Sequence, residues 1–146
     1  MKKILLITKE LIDDPKGGRE KLNKNIFHTI SCVCNKNKYQ FKTRVKKIHL
    51  NRAGITHGGF LAGIIDAGSG TAVHRAAGKQ VCVTISLDIK FIGSSSIGDE
   101  IVGDVEIQKV TNSLVFMRCK LSCKKLIIAI GTCLLYTSPS PRDREK

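Results

Sequence analysis

The stretch 51-NRAGITHGGFLAGIIDAGSG-70 decides the fold class, because it opens the only long helix candidate of this chain, over 51–77. Glycine costs about 1 kcal/mol relative to alanine in a helix interior. The segment nevertheless contains Gly63, Gly68 and Gly70. These glycines indicate that the segment has a role other than forming a stable helix.

One face of this predicted helix carries a single acid among the smallest side chains. Positions three or four apart share a helix face, and here they are Gly59, Ala62, Gly63, Asp66 and Gly70. The opposite side is apolar and can anchor the helix on a sheet, with Phe60, Leu61, Ile64 and Ile65. The pattern predicts a groove with Asp66 in its floor. The alternative is close helix packing, with Asp66 as a solvated polar residue.

The start of the helix candidate favours a second functional group. At Gly58 and Gly59 the missing side chains let a ligand oxygen approach the first backbone N–H groups, where the helix dipole favours negative charge. An oxyanion formed during acyl transfer is one such ligand. Asn51 can add an amide donor from the preceding loop. The alternative is that the glycines shape a turn and that His57 caps the helix.

The distance between these two groups predicts a dimer. Gly58 and Asp66 are eight residues apart, or about 12 Å along a helix at 1.5 Å per residue. A single substrate carbonyl does not span that distance. We therefore expect the helix start of one subunit to meet Asp66 of a partner across a two-fold axis, which makes a homodimer with shared sites.

The remaining segments predict an α+β fold. A short helix over 2–12 and two strands precede the long helix candidate, and four strands follow it. The predicted strands are 27–34, 39–47, 80–92, 99–110, 113–123 and 125–135. Two-residue spacers, "TN" and "KK", join the last three strands as hairpins, so one antiparallel sheet packs against the helix.

The six cysteines fit no paired metal-ligand spacing. In "MRCKLSC" the strand period places Met117, Cys119, Leu121 and Cys123 on one face. Reduced thiols packed as small hydrophobic groups explain this pattern better than metal ligands do. We therefore predict no metal.

The chain is basic, with 25 Lys and Arg against 12 Asp and Glu, a net charge of +13. Residues 1–50 hold 13 of these bases against 4 acids. The excess fits a nucleic-acid surface, a field that gathers anionic small molecules, or solubility alone. Aromatic residues make up only 5%, with no Trp, which argues against base-stacking platforms and hence against nucleic acid as the partner.

No membrane segment is visible in the sequence. The longest apolar run, "LIIAI", has five residues, against the roughly 20 that a membrane span needs. The apolar run near the start meets Lys9 and Glu10 too soon and lacks a small-residue cleavage site. A cytoplasmic protein that does not engage membranes is the expectation.

From about Asn25 to Leu135, the chain resembles the hotdog-fold acyl-CoA thioesterases of the phenylacetate-pathway, or PaaI-like, type. The similarity rests on "N-x-x-G-x-x-HGG", on the spacing to Asp66, and on "VTISLDIKFI" followed by "GDEIVGDVEI". The resemblance implies a hotdog fold, in which a curved antiparallel sheet wraps a long central helix. It also implies homodimers that often pair into homotetramers.

The resemblance assigns roles to five residues. Asp66 would be the general base, or the nucleophile, that brings water to the thioester carbonyl. The Gly58 N–H would polarise that carbonyl, and Asn51 and His57 would help to position it. Thr84 matches a family position that assists the water. From the residues alone, Thr84 fits an ordinary β-branched strand residue better.

The substrate implied by the resemblance is an acyl-CoA, whose coenzyme A is part of the substrate, so no separate cofactor is expected. The implied substrate-binding residues are Gly59, Phe91, Gly93, Ser94, Ser95, Ser96, Thr111, Asn112 and Ser113. From the residues alone, "FIGSSS" and "KVTNSL" are better explained as turns between strands than as binding loops. Many relatives carry an Arg-Pro pair where this chain has Gly93 and Ser94, which departs from the family pattern.

The expected organisation is an N-terminal helix and linker over 1–24, a hotdog thioesterase domain over 25–135, and a disordered tail over 136–146. The polar tail, with Pro139 and Pro141, is similar to non-native sequence produced by read-through. Two alternatives to a thioesterase stay open. One is a hotdog enoyl-CoA hydratase or dehydratase, and the other is a non-catalytic acyl-CoA-binding regulator on the same fold.

Overall fold

A computed structural model describes residues 33–35, 37–76 and 82–137 of the 146-residue chain. Its elements are β1 (Val33–Asn35), β2 (Lys38–Arg44), a short 3-10 helix (Lys47–His49), α1 (Gly58–Ala76), β3 (Cys82–Phe91), β4 (Glu100–Val110), β5 (Leu114–Cys123) and β6 (Leu126–Thr137). This order confirms the predicted α+β class. The helix predicted over 2–12 and most of the strand predicted over 27–34 lie outside the described residues.

The strands form one antiparallel sheet in the order β1-β2-β4-β5-β6-β3. The hairpin meander of β4, β5 and β6 confirms the prediction from the two-residue spacers. The register shifts within β3 between Thr84 and Ser86, and similar irregularities occur in β4 and β6. Such bulges bend a strand and increase its twist, which suits a sheet that curves around a helix. The predicted architecture, a long helix against one antiparallel sheet, is confirmed.

The apolar side of α1 forms the core with the sheet. Phe60, Leu61, Ile64 and Ile65 are all buried, as the sequence predicts. Phe41 of β2 lies between α1 and β4, and a Cβ atom at Gly68 or at Gly103 would overlap its ring. Close packing against Phe41 therefore explains the glycine at position 68. A function at a binding site is not needed to explain every glycine in this helix.

The helix begins later than the candidate segment. Residues 51–57 form a loop, and α1 starts at Gly58. The side-chain oxygen of Asn51 accepts hydrogen bonds from the N–H groups of Ala53 and Ile55. This side-chain turn competes with helix formation, and Gly54, at φ +79°, completes it. The candidate segment 51–77 thus begins with a loop, and the start of α1 at Gly58 agrees with the prediction that Gly58 and Gly59 supply the first N–H groups of the helix.

The last strand ends later than predicted. It continues to Thr137, and Tyr136 pairs with both Val83 and Leu114. Tyr136 and Thr137 therefore belong to the sheet and not to a tail, which corrects the predicted strand end at 135. Residues 138–146 lie outside the described residues, and the domain limits stay a prediction.

The cysteines of β5 are packed as predicted. Met117, Cys119, Leu121 and Cys123 are buried on the face toward α1, and Cys133 of β6 is buried with them. The three thiols are free, and burial raises the pKa of each. In the described ranges, no three His, Cys, Asp or Glu side chains gather as a metal site would require. Nor does any helix there have the length and apolarity to cross a bilayer.

Candidate functional site

The carboxylate of Asp66 is paired with a hydroxyl from the sheet. Asp66 lies in the third turn of α1, and Thr84 lies near the start of β3. Thr84 Oγ1 donates a 2.6 Å hydrogen bond to Asp66 Oδ1, and both residues are half-buried. This distance lies at the short end of the range for hydrogen bonds between oxygen atoms. Within the described residues, Thr84 is the only hydrogen-bond partner of the Asp66 carboxylate, so Oδ2 is left to accept from another molecule.

The position of Thr84 in β3 explains the contact. Its neighbours Val83 and Ile85 are each 56% exposed, whereas Thr84 is half-buried. The strand period thus places a polar side chain on the side facing α1. The sequence shows this polar residue within an apolar strand. It does not show that a carboxylate 18 residues away lies opposite, because that depends on how β3 joins the sheet.

His57 caps the helix. Its Nδ1 accepts a 2.8 Å hydrogen bond from the Gly59 N–H, and its carbonyl accepts from the N–H groups of Phe60 and Leu61. This is the geometry of an N-cap residue, and it agrees with the capping alternative for His57. The Gly59 N–H is consequently engaged by the cap, and the predicted role of Gly59 in substrate binding stays a prediction.

The Gly58 N–H is the donor left over at the helix start. In the described part of the chain, it donates no hydrogen bond. The ring of Phe91 lies beside it, since a Cβ atom at Gly58 would be 3.4 Å from Phe91 Cζ. A free N–H at a helix N-terminus is suited to an anionic oxygen.

The predicted substrate loops use most of their donors internally. The Gly93 N–H binds the Ile128 carbonyl, and Ser96 donates its N–H and its hydroxyl to Asp99. The hydroxyls of Ser95 and Thr56 bind each other at 2.7 Å. Ser94 is exposed, and its hydroxyl has no partner among the described residues. These bonds hold the loop, so its role in substrate binding stays a prediction.

The second loop, 111–113, is the β4–β5 turn. Thr111 both accepts from the Leu114 N–H and donates to the Leu114 carbonyl. The Ser113 N–H also approaches the Thr111 hydroxyl, at 3.4 Å. Asn112 is exposed at the tip. The geometry is that of a self-contained turn, as the residues alone suggested.

These groups lie at two different ends of the subunit. Thr84, the 111–113 turn and Thr137 lie at the end that we call the Asp66 end, because Ser113 and Cys82 both pair with Thr137. The Gly58 end holds Phe91 and the 93–96 loop. Thr84 and Phe91 are seven strand residues apart, or about 23 Å. One subunit therefore does not bring Asp66 and Gly58 to a common carbonyl.

The helix face around Asp66 is open. Ala62, Gly63 and Gly70 are half-buried, and Gly59 is exposed. A Cβ atom at Gly70 would meet nothing within 4 Å. The small side chains thus leave room beside the carboxylate in the isolated subunit.

Comparison with known families identifies this arrangement. The model of the thioesterase superfamily matches residues 53–129, more than half of the chain, from the loop before α1 into β6. The chain belongs to the thioesterase superfamily. A protein of Pseudomonas aeruginosa that is named as an esterase is 28% identical over 87 residues. That match covers 59% of this chain and 65% of the relative, slightly less than two thirds of its length.

Solved structures of thioesterases share the fold of this superfamily member. Zebrafish thioesterase superfamily member 2 aligns with a TM-score of 0.76 at 22% identity, over 90% of this chain and 94% of that one. A hypothetical thioesterase of Streptococcus pneumoniae, solved with coenzyme A, aligns at 0.72 and 18% identity, over 78% and 92%. A mutant of the phenylacetic acid degradation protein PaaI from Thermus thermophilus aligns at 0.72 and 15% identity, over 81% and 99%. The resemblance to PaaI-like hotdog thioesterases is thus confirmed.

Proposed function

We propose that this superfamily member is an acyl-CoA thioesterase, which hydrolyses an acyl-CoA to the free acid and coenzyme A. The observation that carries the proposal is the Thr84–Asp66 hydrogen bond, which orients a carboxylate and leaves its second oxygen free. The coenzyme A in the related S. pneumoniae structure supports the choice of substrate class.

In the proposed reaction, Asp66 Oδ2 accepts a proton from a water molecule as that water attacks the thioester carbonyl. The Thr84 hydroxyl holds Oδ1, so that the free oxygen keeps one orientation. The tetrahedral intermediate then collapses, the carbon–sulfur bond breaks, and the thiolate of coenzyme A takes up the proton. Direct attack by Asp66, through an anhydride that water then hydrolyses, gives the same products.

The negative charge on the carbonyl oxygen needs a donor, and the Gly58 N–H is the free one at the start of α1. Removal of one such donor typically costs 10²–10³ in rate, or about 3–4 kcal/mol. Because Gly58 and Asp66 of one subunit lie about 12 Å apart along the helix, we assign them to two different subunits at each site. Two copies related by a two-fold axis then form two equivalent sites.

The edge strand β3 supports this homodimer. Among the strands that the structure describes, it lies at the end of the sheet, with β6 as its hydrogen-bonded neighbour. Its Val83, Ile85 and Phe91 are more than half exposed, and an exposed apolar edge tends to pair with another strand. Antiparallel pairing of two β3 strands would place the Thr84 end of one beside the Phe91 end of the other. Pairing of dimers into a tetramer stays a prediction, as does a cytoplasmic location.

The test measures thiol release from a panel of short, long and aromatic acyl-CoAs by the full chain. We expect Asp66→Asn to reduce turnover by about 10²–10⁴-fold, the usual contribution of a general base, with an unchanged circular dichroism spectrum. Asp88→Asn is the matched control, because Asp88 is an exposed acid on β3, paired only with Lys90 in the described residues.

Three results would contradict the proposal. Full activity of Asp66→Asn would show that Asp66 is not the general base. Hydration of an enoyl-CoA without thiol release would establish the hydratase alternative. Binding of acyl-CoA without any turnover would establish the regulator alternative.

A further inference from the structure

A cleft of about 540 Å³ lies at the Gly58 end, between the loop after β3 and the β5–β6 turn. Its lining includes Ile55, Ile92, Ser94, Lys124, Leu126 and Ile127. The Asp66 carboxylate lies about 12 Å farther along α1, beside Thr84, and neither residue lines the cleft. The cleft is therefore separate from the Asp66–Thr84 pair.

The cleft adjoins the free donor at the start of α1. Phe91, whose ring lies beside Gly58, is followed directly by Ile92 in the cleft wall. On the other side, the Thr56 N–H and hydroxyl both bind the Ser95 carbonyl, which joins the loop before α1 to the cleft. A ligand with its carbonyl at the Gly58 N–H can extend into this space.

The walls of the cleft combine apolar surface with one cation. Ile92 and Leu126 are more than half exposed in the subunit, and such grooved apolar surface is typical of ligand sites. Lys124 is the only basic residue in the lining of the cleft, as far as the described residues form it. Its Nζ lies 3.5 Å from Asp99 Oδ1, and its side chain is 78% exposed.

Lys124 can leave Asp99 without leaving that acid unpaired. Asp99 Oδ2 already accepts the N–H of Ser96 at 2.9 Å and its hydroxyl at 3.3 Å. The lysine side of this ion pair is exposed to water, at 78% against 15% for the Asp99 side chain, and solvent screening weakens the 3.5 Å contact. The ammonium group is thus available for a stronger anion in the cleft.

The turn that carries Lys124 also provides a matched control. Lys124 and Lys125 are adjacent, both exposed, and both in the left-handed region, with φ of 50° and 64°. Lys125 does not line the cleft. Replacement of either lysine by glutamine removes one charge from the same turn and changes its backbone preference equally.

Resting on the proposed function, we propose that Lys124 binds a phosphate group of the coenzyme A part of the substrate in this cleft. Lys124 then distinguishes phosphorylated thioesters from phosphate-free ones. Coenzyme A carries its phosphates at the far end of the pantetheine arm from the thioester. Lys124 lies at a matching distance from the Gly58 end. Ala129 is the β6 partner of Phe91, and Lys124 precedes Ala129 by five residues, so at most about 16 Å of chain separates Lys124 from Ala129.

The test is calorimetric titration of the full chain with coenzyme A and with pantetheine, which lacks the phosphates. We expect Lys124→Gln to raise the Kd for coenzyme A about three- to tenfold at low salt. The Kd for pantetheine should not change, and Lys125→Gln should behave as the unmodified chain does. Added salt should reduce the difference.

Kinetics supply a second measurement. Lys124→Gln should raise KM for an acyl-CoA and leave KM for the corresponding acyl-pantetheine unchanged. Equal binding of coenzyme A by the unmodified chain and Lys124→Gln, an equal loss in Lys125→Gln, or no binding at all would overturn the assignment.

Failure of the proposed function would look different. Lys124-dependent binding of coenzyme A without cleavage of any thioester would overturn the thioesterase and keep the phosphate site. Thioester cleavage with a KM that does not depend on Lys124 would overturn the phosphate site and keep the thioesterase.

Discussion

Thr84 Oγ1 and Asp66 Oδ1 are 2.6 Å apart, although one residue lies on the edge strand and the other in the helix, 18 positions apart in sequence. The contact fixes the rotation of the carboxylate at the open face of α1. The first prediction concerns this bond.

Thr84→Val keeps the shape of the side chain and removes the donor, and should reduce kcat about 10- to 100-fold, the cost of a hydrogen bond to a charged group. Thr84→Ser keeps the hydroxyl and should restore most of kcat. Steady-state rates on the best acyl-CoA of the panel measure both. If the serine variant is as slow as the valine variant, packing of the methyl group matters and the hydroxyl does not.

A second prediction isolates the Gly58 N–H. Gly58→Pro deletes this N–H at the first helical position, where proline is tolerated, and should reduce kcat about 10²–10³-fold. Gly58→Ala keeps the N–H and adds a Cβ at ordinary contact distance from Phe91, so it should stay active. Comparable rates for the two variants would show that the N–H does not stabilise the intermediate.

Mixing of inactive variants tests the shared site. A heterodimer of Asp66→Asn with Gly58→Pro has one doubly defective site and one intact site. Refolding of an equal mixture should therefore recover about a quarter of the unmodified activity, since half of the dimers are mixed and each has one of two sites. No recovery, in a sample shown to contain heterodimers, would place both groups of each site in one subunit.

Two glycines of α1 should respond oppositely to alanine. At Gly68 the added Cβ overlaps the buried Phe41 ring, and overpacking of this kind typically costs about 1–3 kcal/mol. At Gly70 the added Cβ meets nothing within 4 Å, and alanine should stabilise the helix by up to about 1 kcal/mol. Urea unfolding at fixed protein concentration measures both changes. A stabilised Gly68→Ala would show that the ring moves aside without cost.

The buried thiols predict a loss of stability at alkaline pH. Burial raises the pKa of Cys119 and Cys133 above the ordinary value of 9.0, so the folded state keeps these protons when the unfolded state has lost them. The free energy of unfolding should therefore be unaffected below about pH 9 and fall as the pH rises above it. A Cys119→Ala/Cys133→Ala chain should show a smaller fall between about pH 8 and pH 10.5 under reducing conditions. Equal slopes for the two chains would assign the alkaline loss to other groups.

The sequence predicts the sheet well because the signals are local. Alternation in "MRCKLSC" and the two-residue spacers need only neighbouring residues, and both predictions are confirmed. The start of the helix is also predicted locally, from the two glycines after His57, and α1 begins at Gly58 with His57 as its cap. The roles of Thr84 and Gly68 depend on contacts with distant segments, and no local pattern specifies them.

The separation of the Asp66 end from the Gly58 end has a consequence for how the protein behaves at low abundance. If each site takes one group from each of two copies, a lone subunit has no complete catalytic apparatus. Specific activity then depends on protein concentration, and turnover grows as its square below the dissociation constant of the dimer. Dilution alone would switch the enzyme off, and the amount of protein that a cell makes would set both the number of sites and the fraction that are assembled.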